Sequence, residues 1–88
     1  SRTMAEMNTD AAKLGAEAAN FDQIAVELRQ IIRMVETTSG ELSGQWRGKA
    51  GAAVQQALRR FHEAGQAQIS ALSDIAANVH EAGVRYTK

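Results

Sequence analysis

The chain's two histidines sit in look-alike runs, His62-Glu63-Ala64-Gly65 and His80-Glu81-Ala82-Gly83, and each run opens like the H-E-x-x-H motif of zinc proteases. That chemistry needs a second imidazole one helical turn further on, where both rings can reach one ion. Gln66 and Val84 occupy those positions instead. The two histidines are eighteen residues apart, five full turns, so on one helix they share a face but lie about 27 Å apart along the axis. They cannot ligate one ion within a single chain and read as ordinary surface or rim residues. Ser39 and Ser43 have no histidine nearby in sequence to act as a base. There is no phosphate-binding loop and no carboxylate pair set apart in a predicted pocket. The expectation is a protein that is not an enzyme and uses neither metal nor cofactor.

The elements that carry these residues follow from composition. Seventeen alanines with no proline and no cysteine favour helix and exclude a disulfide scaffold. Ten basic and ten acidic residues balance to zero along 88 residues, which argues against a nucleic-acid partner, since that needs a basic stripe. No apolar run approaches the ~20 residues of a bilayer span, and none resembles a signal-peptide core. A stable membrane span is therefore not expected. Ser1-Arg2-Thr3 ahead of Met4-Ala5 reads as foreign residues before a native start and is left out of the expected fold.

Four of the seven glycines and the single tryptophan fall between Gly40 and Gly51. Glycine is costly inside a helix and cheap in a tight turn, so the backbone is expected to reverse there, at Trp46-Arg47-Gly48. The glycines would let two backbones approach, and the indole would cover the gap and lock the bend.

Asn8, Thr9 and Asp10 offer N-cap oxygens for the first arm. From there Met7, Ala11, Leu14, Ala18, Phe21, Ala25, Leu28, Ile32, Val35, Ser39 and Leu42 recur at alternating steps of four and three. An unbroken 3.5-residue repeat marks a coiled-coil-like seam. Thr37-Thr38-Ser39-Gly40 is a run of poor helix formers, but Leu42 stays in phase beyond it. The second arm repeats the rhythm at Val54, Leu58, Phe61, Gly65, Gln68, Leu72, Ile75, Val79, Ala82 and Tyr86, with Gly65 and Gln68 as defects and Ile69 beside the seam. The expected domain is one helical hairpin over 1–88: helix 1 at about 9–42, a turn at about 43–49, helix 2 at about 50–86. Helix 1 should be roughly 45–50 Å long.

Ile24 and Ile31, seven apart, widen the apolar stripe beyond what one neighbouring helix covers. A lone hairpin wets the far side of each stripe and buries too little apolar surface to offset the entropy of ordering two long helices. The fold class is therefore all-α, an antiparallel two-helix hairpin that completes a four-helix bundle with a second hairpin. Leu14, Phe21, Ile24, Leu28, Ile31, Ile32, Val35, Phe61, Ile69 and Leu72 are the expected partner-binding residues.

Trp46-Arg47-Gly48 at the midpoint of such a hairpin resembles the W-x-G hundred-residue family of type VII secretion substrates. The resemblance extends through Glu6-Met7, Thr9-Asp10-Ala11-Ala12, Asn20-Phe21, Val35-Glu36, Gly44-Gln45, Arg60-Phe61, Ala82-Gly83-Val84 and Tyr86, a pattern similar to a secreted antigen branch of that family. It implies a tight heterodimer with a second W-x-G hairpin, with a homodimer open to the chain when alone. It also implies escort of that partner out of the cell, without a cleaved signal peptide, through a membrane machine whose secretion ATPase reads the C-terminal end. The family's export signal is Y-x-x-x-D/E. Tyr86 matches its first position and the sequence stops at Lys88, so the signal is expected to be truncated here. Two rival readings remain at this point, a membrane-active effector and a homodimeric helical scaffold. Balanced charge and the lack of a Lys/Arg-rich polar face weigh against the first.

Overall fold

The computed structural model describes residues 2–86, and the side chain of Tyr86 lies outside the described residues. Helix α1 (Met4–Leu42) leads through one 3₁₀ turn at Ser43–Gln45 into helix α2 (Gly48–Tyr86), which runs back along α1. The fold is all-α, an antiparallel hairpin, with no strand among the described residues.

Helix α1 begins at Met4, one turn before the expected start at Asn8-Thr9-Asp10. The cap is Thr3. Its hydroxyl accepts the Glu6 backbone N–H at 3.1 Å, and the Glu6 carboxylate accepts the Thr3 N–H at 3.2 Å. This reciprocal box satisfies two amides that the first turn would otherwise leave without partners. Thr9, expected at the boundary, is inside the helix and donates its hydroxyl to the Ala5 carbonyl at 2.9 Å. Residues expected to be foreign to the fold are thus part of it: Thr3 caps α1, and the Arg2 guanidinium pairs with the Asp10 carboxylate. The added turn makes α1 roughly 58 Å long, and the hairpin measures 67 × 16 × 14 Å.

At the other end the Thr-Thr-Ser-Gly run stays helical to Leu42. Half-buried Ser39 donates to the Val35 carbonyl at 2.7 Å, so its hydroxyl is satisfied within the helix and needs no partner in the seam.

Each seam residue from Met7 to Ser39 is buried or half-buried, in the phase expected for α1. On α2 the expected phase holds at Val54, Leu58, Gly65, Leu72, Val79 and Ala82, which are buried or half-buried, and differs at the positions between them. The buried positions are Gly51, Gly65, Ile69, Ala76 and Gly83, whereas Phe61, Gln68 and Ile75 of the expected series are exposed. The contact line has rotated by one residue, from 68 and 75 to 69 and 76. The physical reason is steric. A Cβ built at Gly65 would stand 2.5 Å from Ile32 Cδ1, and one at Gly83 would stand 3.4 Å from the Ala11 carbonyl oxygen and Leu14 Cβ. Gly65 receives the Ile32 side chain, a Cβ at Gly83 would make an ordinary van der Waals contact, and small residues at 65, 76 and 83 let α1 pack close along this line. Gly65 is a socket and not a defect. The resulting core is thin: Ala25, Ile32 and Ile69, flanked by Leu28 and Leu72, with Ala18 and Ala76 buried nearer the open end.

Candidate functional site

Two features could serve a partner: the turn and an apolar flank. At the turn, Trp46 is extended (φ −95°, ψ 95°), its N–H donating to the Ser43 carbonyl at 3.3 Å. Arg47 Nε donates to the Gly44 carbonyl at 3.3 Å, closing the outside of the bend. Gly48 has φ +66°, a left-handed conformation that a Cβ disfavours, which gives the third residue of Trp-x-Gly its physical role. The indole is half-buried, not sunk in a core, and lines a cleft with Val35, Ser39, Leu58 and Phe61.

The expectation that the clustered glycines bring backbones together holds at one position. Nothing lies within 4 Å of a Cβ built on Gly40, Gly44 or Gly48. Gly51 is different: a Cβ there would stand 2.5 Å from Trp46 C and 2.6 Å from Trp46 O. Helix α2 therefore starts with its first turn pressed on the Trp46 peptide, and its Gly51 N–H donates to the Arg47 carbonyl at 3.3 Å. The sequence placed Gly51 in this cluster without singling it out. Its signal was a glycine in an otherwise alanine-rich first turn, where alanine would have been the better helix former.

His62 joins the arms across the mouth of the Trp46 cleft, with Nδ1 2.6 Å from Glu36 Oε1. Both side chains are about half exposed (49% and 52%), so solvent screens the pair and its contribution is small. His80 lies far along α2 and lines a shallow cleft with Gly15 and Asp22. No group of three His, Cys, Asp or Glu among the described residues is placed to hold a metal ion.

The expected partner-binding residues separate into three sets. Ile32 and Ile69 are enclosed between the arms, at 3% and 5% exposure, leaving no surface for a second chain. They belong to the core of the hairpin: Ile32 lies in the expected α1 seam, and Ile69, expected beside the α2 seam, lies on it. Leu14, Phe21, Leu28, Val35 and Leu72 are half-buried along the edges of the seam. Ile24, Ile31 and Phe61 are exposed, at 47%, 50% and 38%. Ile75, taken from the sequence as seam, joins them at 41%. Ile24, Leu28 and Ile31 on one arm face Ala71, Leu72 and Ile75 on the other across an open apolar groove. Tyr86 is the last residue of α2, and its side chain lies outside the described residues.

Residues 6–88 match the family described as WXG100, proteins of 100 residues with WXG. The chain belongs to the WXG100 family. Membership puts it among type VII secretion substrates, as the turn motif implied. It is 52% identical over 84 residues to the ESAT-6-like protein EsxB of Mycolicibacterium smegmatis, covering 96% of this chain and 84% of that one. The ESAT-6-like protein EsxB of Mycobacterium tuberculosis is 51% identical over 85 residues, covering 97% and 85%. That of Mycobacterium leprae is 44% identical over the same span and coverage. No helix among the described residues is long and apolar enough to cross a membrane.

Proposed function

We propose that this WXG100 chain is one half of an exported pair. It packs its open groove against a second W-x-G hairpin, the two form an antiparallel four-helix bundle, and the pair leaves the cell folded through a type VII machine. No signal peptide is removed, the secretion ATPase engages the end of α2 at Tyr86, and the chain performs no catalysis. The observation that carries this reading is the exposure of Ile24, Ile31 and Ile75 in one groove, beside a core of only a few enclosed side chains. Covering those isoleucines returns about 25 cal/mol for each Å² of apolar surface removed from water. A second pair of helices supplies that cover along the whole flank. Leu28, Phe61 and Leu72 border the same contact.

The test is co-expression with the product of the neighbouring small open reading frame, for the wild type and for Ile24→Asp with Ile31→Asp. The wild type is expected to co-purify and to melt at a higher temperature with its partner than alone. The double variant is expected to lose the partner while the isolated chain keeps its helicity, because both positions face solvent. A dilute wild-type monomer that melts cooperatively, with no response to the partner, would sink the proposal.

A further inference from the structure

The groove between the arms is apolar except at two residues, Glu27 and Gln68. Glu27 is exposed and accepts a hydrogen bond from Gln23 at 3.5 Å. Gln68 is different. It stands on the α2 wall one residue from the buried Ile69 and seven before Ile75, and its amide has no hydrogen-bond partner among the described residues. Ile24 and Ile31 form one row of the groove and Gln68 and Ile75 the other, both at a spacing of seven. Two antiparallel rows with that spacing fit the ridge of another helix running alongside. Gln68 lies close to the midpoint of α2.

We propose that Gln68 selects the partner and fixes its register: the helix that fills the groove places a hydrogen-bonding side chain opposite the Gln68 amide, and hairpins without one there are rejected. The inference rests on the reading that a second hairpin fills this groove. Covering Gln68 strips water from two donors and one acceptor. An aliphatic side chain opposite leaves them unsatisfied, whereas a hydroxyl, amide or carboxylate replaces the lost water. A single polar residue in an apolar helix seam specifies register and pairing at the expense of affinity. Its place at mid-helix sharpens the effect. A slip of one heptad moves the partner by about 10.5 Å and carries its polar group away from Gln68.

The experiment titrates the labelled full chain with three probes: the product of the neighbouring small open reading frame, the ESAT-6-like protein EsxB of Mycolicibacterium smegmatis, and a second copy of this chain. Wild type, Gln68→Leu and Gln68→Ala are compared; the last removes the amide without adding bulk. Wild type is expected to prefer the first probe. Both variants are expected to bind the other two at least about tenfold more tightly than wild type does, narrowing the preference by the same factor. A preference unchanged within about threefold in both variants, with Ile24→Asp still abolishing binding, overturns the role of Gln68 and leaves the groove as the docking site. Indifference of wild-type binding to Ile24→Asp, or its absence, overturns both.

Discussion

Ile32 of α1 fills the space that a side chain at Gly65 of α2 would occupy, with Cδ1 2.5 Å from the position of a Cβ there. The contact joins one of the few enclosed side chains to a residue that has none.

The first prediction concerns that contact. Gly65→Ala gains about 1 kcal/mol of helix propensity and loses more to overpacking, which costs about 1–3 kcal/mol in a filled site. A net loss of roughly 1 kcal/mol is expected in urea or thermal melting. Ile32→Val removes the clashing methyl, so the two changes together should cost less than the sum of the single ones. Strict additivity in the double-mutant cycle would show that the two residues do not meet.

Gly51 and Gly40 should respond in opposite directions. A Cβ at Gly51 meets the Trp46 backbone, which no rotamer change can relieve, so Gly51→Ala is expected to destabilise the chain by about 3 kcal/mol. Gly40 is exposed and helical with open space around it, so Gly40→Ala should stabilise by up to about 1 kcal/mol. Melting curves that shift the same way for both would contradict the assigned turn geometry.

At the turn itself, Gly48→Ala forces a Cβ into the left-handed region at about 1–2 kcal/mol. Gly48→Asn should cost less, because asparagine tolerates that conformation. Half-burial of the indole places Trp46→Ala below the 3–5 kcal/mol of a fully buried aromatic. Equal losses for alanine and asparagine at Gly48 would assign the motif's glycine to space instead of backbone angle.

The periodicity of α1 was legible because the residues of its 3.5-residue repeat share one contact. Ala18, Ala25 and Ile32 are buried, and Leu14, Phe21, Leu28 and Val35 border them. Helix α2 misled for a physical reason. Its apolar stripe is the sum of two contacts, one with α1 through Gly65, Ile69, Ala76 and Gly83, and one open flank through Phe61 and Ile75. A hydrophobic pattern weights size, so it put Phe61 and Ile75 in the seam, counted Gly65 there as a defect, and set Ile69 beside it. The expected helix start failed differently, because three good N-cap residues at 8–10 outweighed one Thr-x-x-Glu pair whose two bonds are made together. The exposed isoleucines of α1 needed no structure to find.

Thr3→Ala tests that pair. Loss of the hydroxyl should cost about 1 kcal/mol locally and expose the first turn. Hydrogen exchange at residues 5–8 should accelerate several-fold, with the amides around Ile32 and Ile69 unchanged. Unaltered exchange at residues 5–8 would move the true start of α1 back to Thr9.

Because α2 doubles back on α1, Met4 and Tyr86 leave the rod at the same tip, with Gly83 resting on Ala11 and Leu14 just inside it. A load applied at that tip would part the arms like a zip, breaking one small contact after another. The same load applied from opposite poles would have to shear every contact at once. A rod closed by so thin a core yields, turn by turn, to a steady pull from one side.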